Sequence, residues 1–234
     1  GVGMNNETSY GHLHTAVFLE GGWGNYNTNN SFSFVNVKGD GDTHYFGAGV
    51  LARHDFKNRF YAEGSLRAGK VKSKYSSGDM GAGASFDSDS WYYGAHGGIG
   101  YLIPVQDKSD VDVYAKVLWT HQNSDSLTSK AGEDIRFDSA NSFRTRLGAR
   151  FTHRLDDGFK GYAGLAWDHE FKGSQGALVD GDVMDKPEMK GSTGVLELGL
   201  TWNVKKAWTF DANIQGMLGQ REGVAGMVTA KYTF

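Results

Sequence analysis

The chain has 234 residues, a net charge of −3 and no cysteine, and its pI lies near 6.2. That balance argues against a nucleic-acid binder, which carries a basic stripe, and the absence of cysteine suits an exported protein. Thirty-four glycines, two prolines and 13% aromatics favour many strands joined by turns, and without a three-residue period the glycines exclude collagen.

Mean hydropathy is −0.48, and no run of about 18 apolar residues offers a membrane helix. A transmembrane barrel would still average out as polar, because lipid-facing and lumen-facing residues alternate. No signal peptide opens the chain, so an exported protein of this sequence is expected to be a processed piece or a fragment.

In chain order, compatible alternating runs cover residues 17–23, 46–54, 60–70 and 91–102. Val111, Val113, Ala115, Val117 and Trp119 then alternate with Asp112, Tyr114, Lys116, Leu118 and Thr120. Phe143, Thr145, Leu147, Ala149 and Phe151 alternate with Arg144, Arg146, Gly148, Arg150 and Thr152, which puts three guanidinium groups on one face. Such a face is not a dry core. A run over 159–171 follows, then Leu196, Leu198, Leu200 and Trp202 against Glu197, Gly199 and Thr201. Trp208, Phe210, Ala212, Ile214, Gly216 and Leu218 oppose Thr209, Asp211, Asn213, Gln215 and Met217. Past a turn at 219–222, Val224, Gly226, Val228, Ala230, Tyr232 and Phe234 share the last apolar face. About ten strands result, most near the 9–11 residues that a tilted strand needs to cross a bilayer.

Links alternate in length, as they do between the two sides of an outer-membrane barrel. Short ones fall at 55–58, 155–158 and 203–207, with a slightly longer one at 104–110. Longer ones fall at 27–42, 75–87, 122–138 and 172–190, with 219–222 a short link on that side. Aromatics such as Trp23, Trp91, Tyr93, Tyr101, Trp119, Phe151, Trp167, Phe171, Trp202 and Trp208 cluster near strand ends on the apolar face, the headgroup level of a membrane. A soluble sandwich would also bury one face per strand, but nothing in it enforces the asymmetry of the links. The expected fold is all-β, an antiparallel up-and-down transmembrane barrel in the bacterial outer membrane, in contact with its lipid and lipopolysaccharide.

The chain resembles the C-terminal translocator barrel of autotransporters, the type V secretion β-domain, over nearly all its length. The resemblance is carried by residues 16–24 with Gly21-Gly22-Trp23, 39–47 with Gly39-Asp40-Gly41-Asp42, 61–69 with Tyr61-Ala62-Glu63-Gly64, 112–116, 144–150, and Lys231-Tyr232-Thr233-Phe234. It implies a twelve-stranded family barrel preceded by a secreted passenger. Residues 1–12 resemble the end of the family's second strand and the turn after it, and 13–234 the remaining barrel. The first strand, most of the second and the pore helix are expected to lie outside this sequence.

Glu20, Glu63, Arg67, Lys116, Arg144, Arg146, Arg150, Asp168, Glu170, Glu197 and Asp211 are expected to line the lumen, solvating it and pairing with one another. Gly226, Val228, Ala230, Tyr232 and Phe234 resemble the signal read by the barrel assembly machinery. Apart from that machinery and membrane lipid, the expected partner is the chain's own passenger, with no nucleic acid. Neither cofactor, metal nor catalytic residue is expected. The alternatives are a porin or adhesin-type barrel with ligand-binding outer loops, and an outer-membrane protease using Asp156-Asp157 and His54-Asp55. Both of those pairs fall at short turns, the wrong end for such an enzyme. Glycines 94–100 fall on both faces of a strand and are read as sites of curvature and close packing, not as a phosphate loop.

Overall fold

The computed structural model describes residues 1–32, 35–77, 85–130, 132–184, 186, 188–204 and 207–233. Eleven antiparallel strands form one meandering sheet: β1 (Val2–Thr8), β2 (Gly11–Phe32), β3 (Val35–Phe56), β4 (Phe60–Ser76), β5 (Phe86–Gln106), β6 (Ser109–Gln122), β9 (Ala140–Arg154), β10 (Phe159–Glu170), β13 (Gly191–Val204), β14 (Trp208–Gly219) and β15 (Gly223–Tyr232). Each pairs with its neighbour in this order, so the topology is up-and-down. No helix occurs among the described residues.

The two faces are inverted relative to a soluble protein. Leu165 is 68% exposed and Leu196 51%, whereas Asp168 is 1% exposed and Glu197 7%. Water would drive the opposite partition, so hydrocarbon is the solvent that suits the outward face. The wall curls toward the charged face. Tyr92 on β5 donates its hydroxyl to Glu20 Oε1 on β2 at 2.6 Å, across three strand spacings that span about 14 Å in a flat sheet.

Links differ from expectation in several places. The stretch 27–42 is mostly paired strand, with register continuing to Phe32 and Val35; residues 33–34 lie outside the described residues. Its glycines receive rings: a Cβ on Gly41 would sit 2.1 Å from Tyr26, and one on Gly39 2.2 Å from the Tyr75 hydroxyl. The 104–110 link shrinks because β5 continues to Gln106 through an irregular register at Pro104. The long links at 122–138 and 172–190 hold four short strands, β7 (Asp125–Thr128), β8 (Asp134–Phe137), β11 (Ala177–Val179) and β12 (Asp182–Val183), which form a second sheet in the order β12-β11-β8-β7. Much of the expected 75–87 link, residues 78–84, lies outside the described residues.

The sheet is not closed among the described residues. β1 and β15 each have one neighbour only, and β15 is exposed along its whole length.

Candidate functional site

The charged inner face follows from period-two geometry: once Phe143, Leu147 and Phe151 point outward, Arg144, Arg146 and Arg150 must point inward. Register sets Asp168 directly opposite Arg146. The guanidinium grips it with two bonds, Nε to Oδ1 at 2.6 Å and Nη2 to Oδ2 at 2.9 Å, the fork geometry that favours arginine over lysine. Arg221, from the turn after β14, donates to Asp168 Oδ2, and Arg144 Nη1 stands 3.9 Å from the same oxygen. One carboxylate thus gathers three guanidinium groups. Glu170 terminates the row, accepting from Ser142 Oγ at 2.6 Å and from the backbone N–H groups of Phe143 and Lys172 at 2.8 and 3.1 Å.

Elsewhere partners reach over an intervening strand, and glycine makes room beneath them. Arg150 on β9 donates to Glu197 on β13 at 2.7–3.0 Å. The β10 residue between them is Gly164, where a Cβ would lie 3.3 Å from Glu197 Oε2. Lys116 on β6 meets Glu63 Oε1 on β4 at 2.6 Å across Gly98, whose Cβ would lie 3.2 Å from both side chains. The Tyr92 to Glu20 bond crosses Gly69 and Gly47 in the same way, and Arg67 Nη1 pairs with Glu20 Oε2 at 3.2 Å.

Tyrosines elsewhere on this face lie over glycine and donate to a carboxylate, as Tyr92 does. Tyr61 lies over Gly100 and donates to Asp112 at 3.0 Å; Tyr162 lies over Gly199 and donates to Asp211 at 2.9 Å. Thr201 Oγ1 adds a 2.7 Å bond to Asp211.

All eleven expected residues, Glu20, Glu63, Arg67, Lys116, Arg144, Arg146, Arg150, Asp168, Glu170, Glu197 and Asp211, therefore make polar contacts on the inner face. Sequence reading missed members of the same networks. Arg53 Nη1 also reaches Glu63, at 3.3 Å, and His96 Nε2 lies 3.4 Å from it. Asp55 joins Arg53 to His14 at 2.8 and 3.0 Å. Strand parity could have found Arg53 and His96; nothing local marks Arg221, which acts from a turn.

The protease pairs do not converge. His54 packs its ring 4.4 Å from Phe56 and contacts Thr8 Oγ1 at 3.1 Å, whereas Asp55 bonds Arg53 and His14 on the opposite face. Asp156 accepts the N–H groups of Gly158 and Phe159 at 2.7 and 2.8 Å, the role of a turn-forming aspartate. Among the described residues, no group of three or more His, Cys, Asp or Glu side chains is placed to hold a metal ion.

On the outward face of β15, Gly226, Val228, Ala230 and Tyr232 oppose Ile214, Ala212, Phe210 and Trp208 of β14. Phe234 lies outside the described residues.

Known proteins give the same picture. The autotransporter β-domain family model matches residues 10–215. The transport unit of the autotransporter AIDA-I from Escherichia coli superposes with a TM-score of 0.80 at 15% identity, over 100% of this chain and 79% of that one. The β-domain of the Bordetella autotransporter BrkA gives 0.67 at 18% identity, over 99% and 88%. The Pseudomonas putida toluene transporter TodX gives 0.51 at 9%, over 98% and 72%. No curated protein matches the chain in sequence. With its family matched over most of its length, lipid-suited side chains outside and paired charges inside, the chain belongs to the autotransporter β-domain family, the translocator barrels of the bacterial outer membrane that support passenger export.

Proposed function

We propose that the paired inner face is the surface along which an extended passenger segment travels, and that its ion pairs keep that segment from adhering. The observation that carries this is the pairing itself. Glu20, Glu63, Asp168, Glu197 and Asp211 each have a hydrogen-bonded partner on the same wall. Charges satisfied in this way gain little by exchanging partners with a passing chain.

The free edges of β1 and β15 bear on closure. In hydrocarbon every unpaired backbone group costs several kcal/mol, so open edges do not occur there. We therefore infer that polypeptide beyond these eleven strands pairs with them, and that residues 1–12 belong to a strand and turn continuous with it. The assembly reading rests on the same physics: β15 offers an apolar face and free backbone groups to another sheet edge, a fit for the barrel assembly machinery. Catalysis forms no part of this function.

Deleting residues 232–234 tests the assembly role. Membrane-inserted, heat-modifiable barrel is expected to be lost; an unchanged yield would sink it. For the lumen, Arg150→Ala, which leaves Glu197 without its guanidinium, is expected to slow surface appearance of a fused passenger while folded barrel still forms. Unchanged export kinetics with that variant would remove the non-adhesive role.

A further inference from the structure

On the outward face of β4, Leu66 and Ala68 are followed by Lys70, Lys72 and Lys74. Lys70 Nζ lies 5.2 Å from the centre of the Trp91 ring, which fixes that lysine at the level of the aromatic girdle. Lys72 and Lys74 stand two and four residues farther along a strand whose rise is about 3.3 Å per residue. Both therefore lie alongside headgroups.

Neighbouring strands supply a wall at this height. β2, β3 and β5 also continue past the girdle, so Lys72 is flanked by His44 and Asp89, and Lys74 by Asp42 and Asp87. Lys70 and Lys72 share one carboxylate, Asp89, at 3.4 and 3.6 Å. Lys74 has no ion pair among the described residues. Elsewhere on the sheet the outward side has a different character: β6 passes from Trp119 to His121, and β10 from Trp167 to His169. Among the described residues, the outward strand faces carry no other lysine or arginine except Lys38, near the β2–β3 hairpin.

We propose that Lys70, Lys72 and Lys74 form a binding site for the phosphate groups of the glycolipid in the outer leaflet. The inference rests on the outer-membrane reading with the long links facing outward. A lysine suits the task as a mobile point charge on a flexible stem. Asp89 holds two of the three stems in place, and the indole at the girdle sets their depth. Near an anionic membrane surface each lysine contributes about fivefold to binding.

The test uses the full chain refolded in phosphatidylcholine vesicles that contain either bisphosphorylated lipid A or the same lipid with its phosphates removed. Wild type is compared with the K70Q/K72Q/K74Q variant and with Lys108→Gln, a change in a short turn at the other end. Lipid retained after gentle extraction is read by native mass spectrometry. Wild type and Lys108→Gln are expected to retain at least about fivefold more bisphosphorylated lipid than the triple variant, and no protein should favour the dephosphorylated lipid. Equal retention by wild type and the triple variant, or indifference of wild type to phosphate, overturns the site. Heat-modifiable migration of the same samples separates the two claims: a folded wild type that ignores phosphate removes only the lysine site, whereas one that never folds into bilayers removes the barrel reading with it.

Discussion

The wall has a tall side and a low side. β2 and β3 run for 22 residues each, β4 for 17 and β5 for 21. β9, β10, β13, β14 and β15 run for 15, 12, 14, 12 and 10. The low side keeps close to what a bilayer demands of a tilted strand. Beyond that height the tall side is sustained by continued backbone pairing and by contacts such as Thr43 Oγ1 to Ser73 Oγ at 2.7 Å and the Ser77 hydroxyl to Lys38 O at 2.6 Å. The low side ends early, and its links fold into the second sheet instead. That sheet leans on the tall side, where Asp125 accepts from Ser88 Oγ at 2.7 Å and from Asp89 N–H at 3.0 Å. Membrane thickness thus sets what the two sides share, and hydrogen bonding in water sets how they differ.

Charge is also distributed unequally, and substitutions can break or sharpen the contrast. On the low side Asp168→Ala would leave three guanidinium groups around an empty position, with an expected loss of about 3–5 kcal/mol. Glu63→Ala on the tall side should cost less, because its side chain is 14% exposed where that of Asp168 is 2%. Urea unfolding from vesicles measures both, and equal losses would erase the distinction. Next in size, Leu165→Arg on the lipid face of the low side should cost about 2–4 kcal/mol, against about 0–1 for Asn25→Arg above the girdle. A similar penalty at both positions would mean that the tall side does not leave the hydrocarbon. Smallest is a comparison of glycines. Gly199→Val would set its Cβ 2.2 Å from the Tyr162 ring and should cost about 1–3 kcal/mol, whereas Gly216→Val, with nothing within 4 Å, should stay within about 0.5 kcal/mol. The same unfolding experiment decides it.

The part of this architecture legible in the sequence is the part that period two controls. Arg144, Arg146 and Arg150 could be assigned to one face because their positions differ by two and four, and Glu197 and Asp211 followed by the same rule. Strand ends beyond the bilayer were not legible. Asn25 to Thr28 and Gly39 to Asp42 are polar and glycine-rich, a composition shared by loops and by water-exposed strands. Four-residue and shorter strands such as Asp125–Thr128 and Asp182–Val183 carry too few alternations to register. Partnerships across the sheet were hidden as well, since Tyr92 and Glu20 are 72 residues apart and Arg221 arrives from a turn.

The residues beneath the cross-strand contacts also govern how far side chains project from the inner face. Tyr61, Tyr92, Tyr114 and Tyr162 each have an unsubstituted Cα where a neighbouring side chain would otherwise stand: a Cβ on Gly100, Gly69, Gly148 or Gly199 would come within 2.2–2.7 Å of the ring. The rings can therefore recline along the barrel lining instead of jutting toward its axis. Large aromatic groups in this way brace the curved wall while projecting little from its inner face.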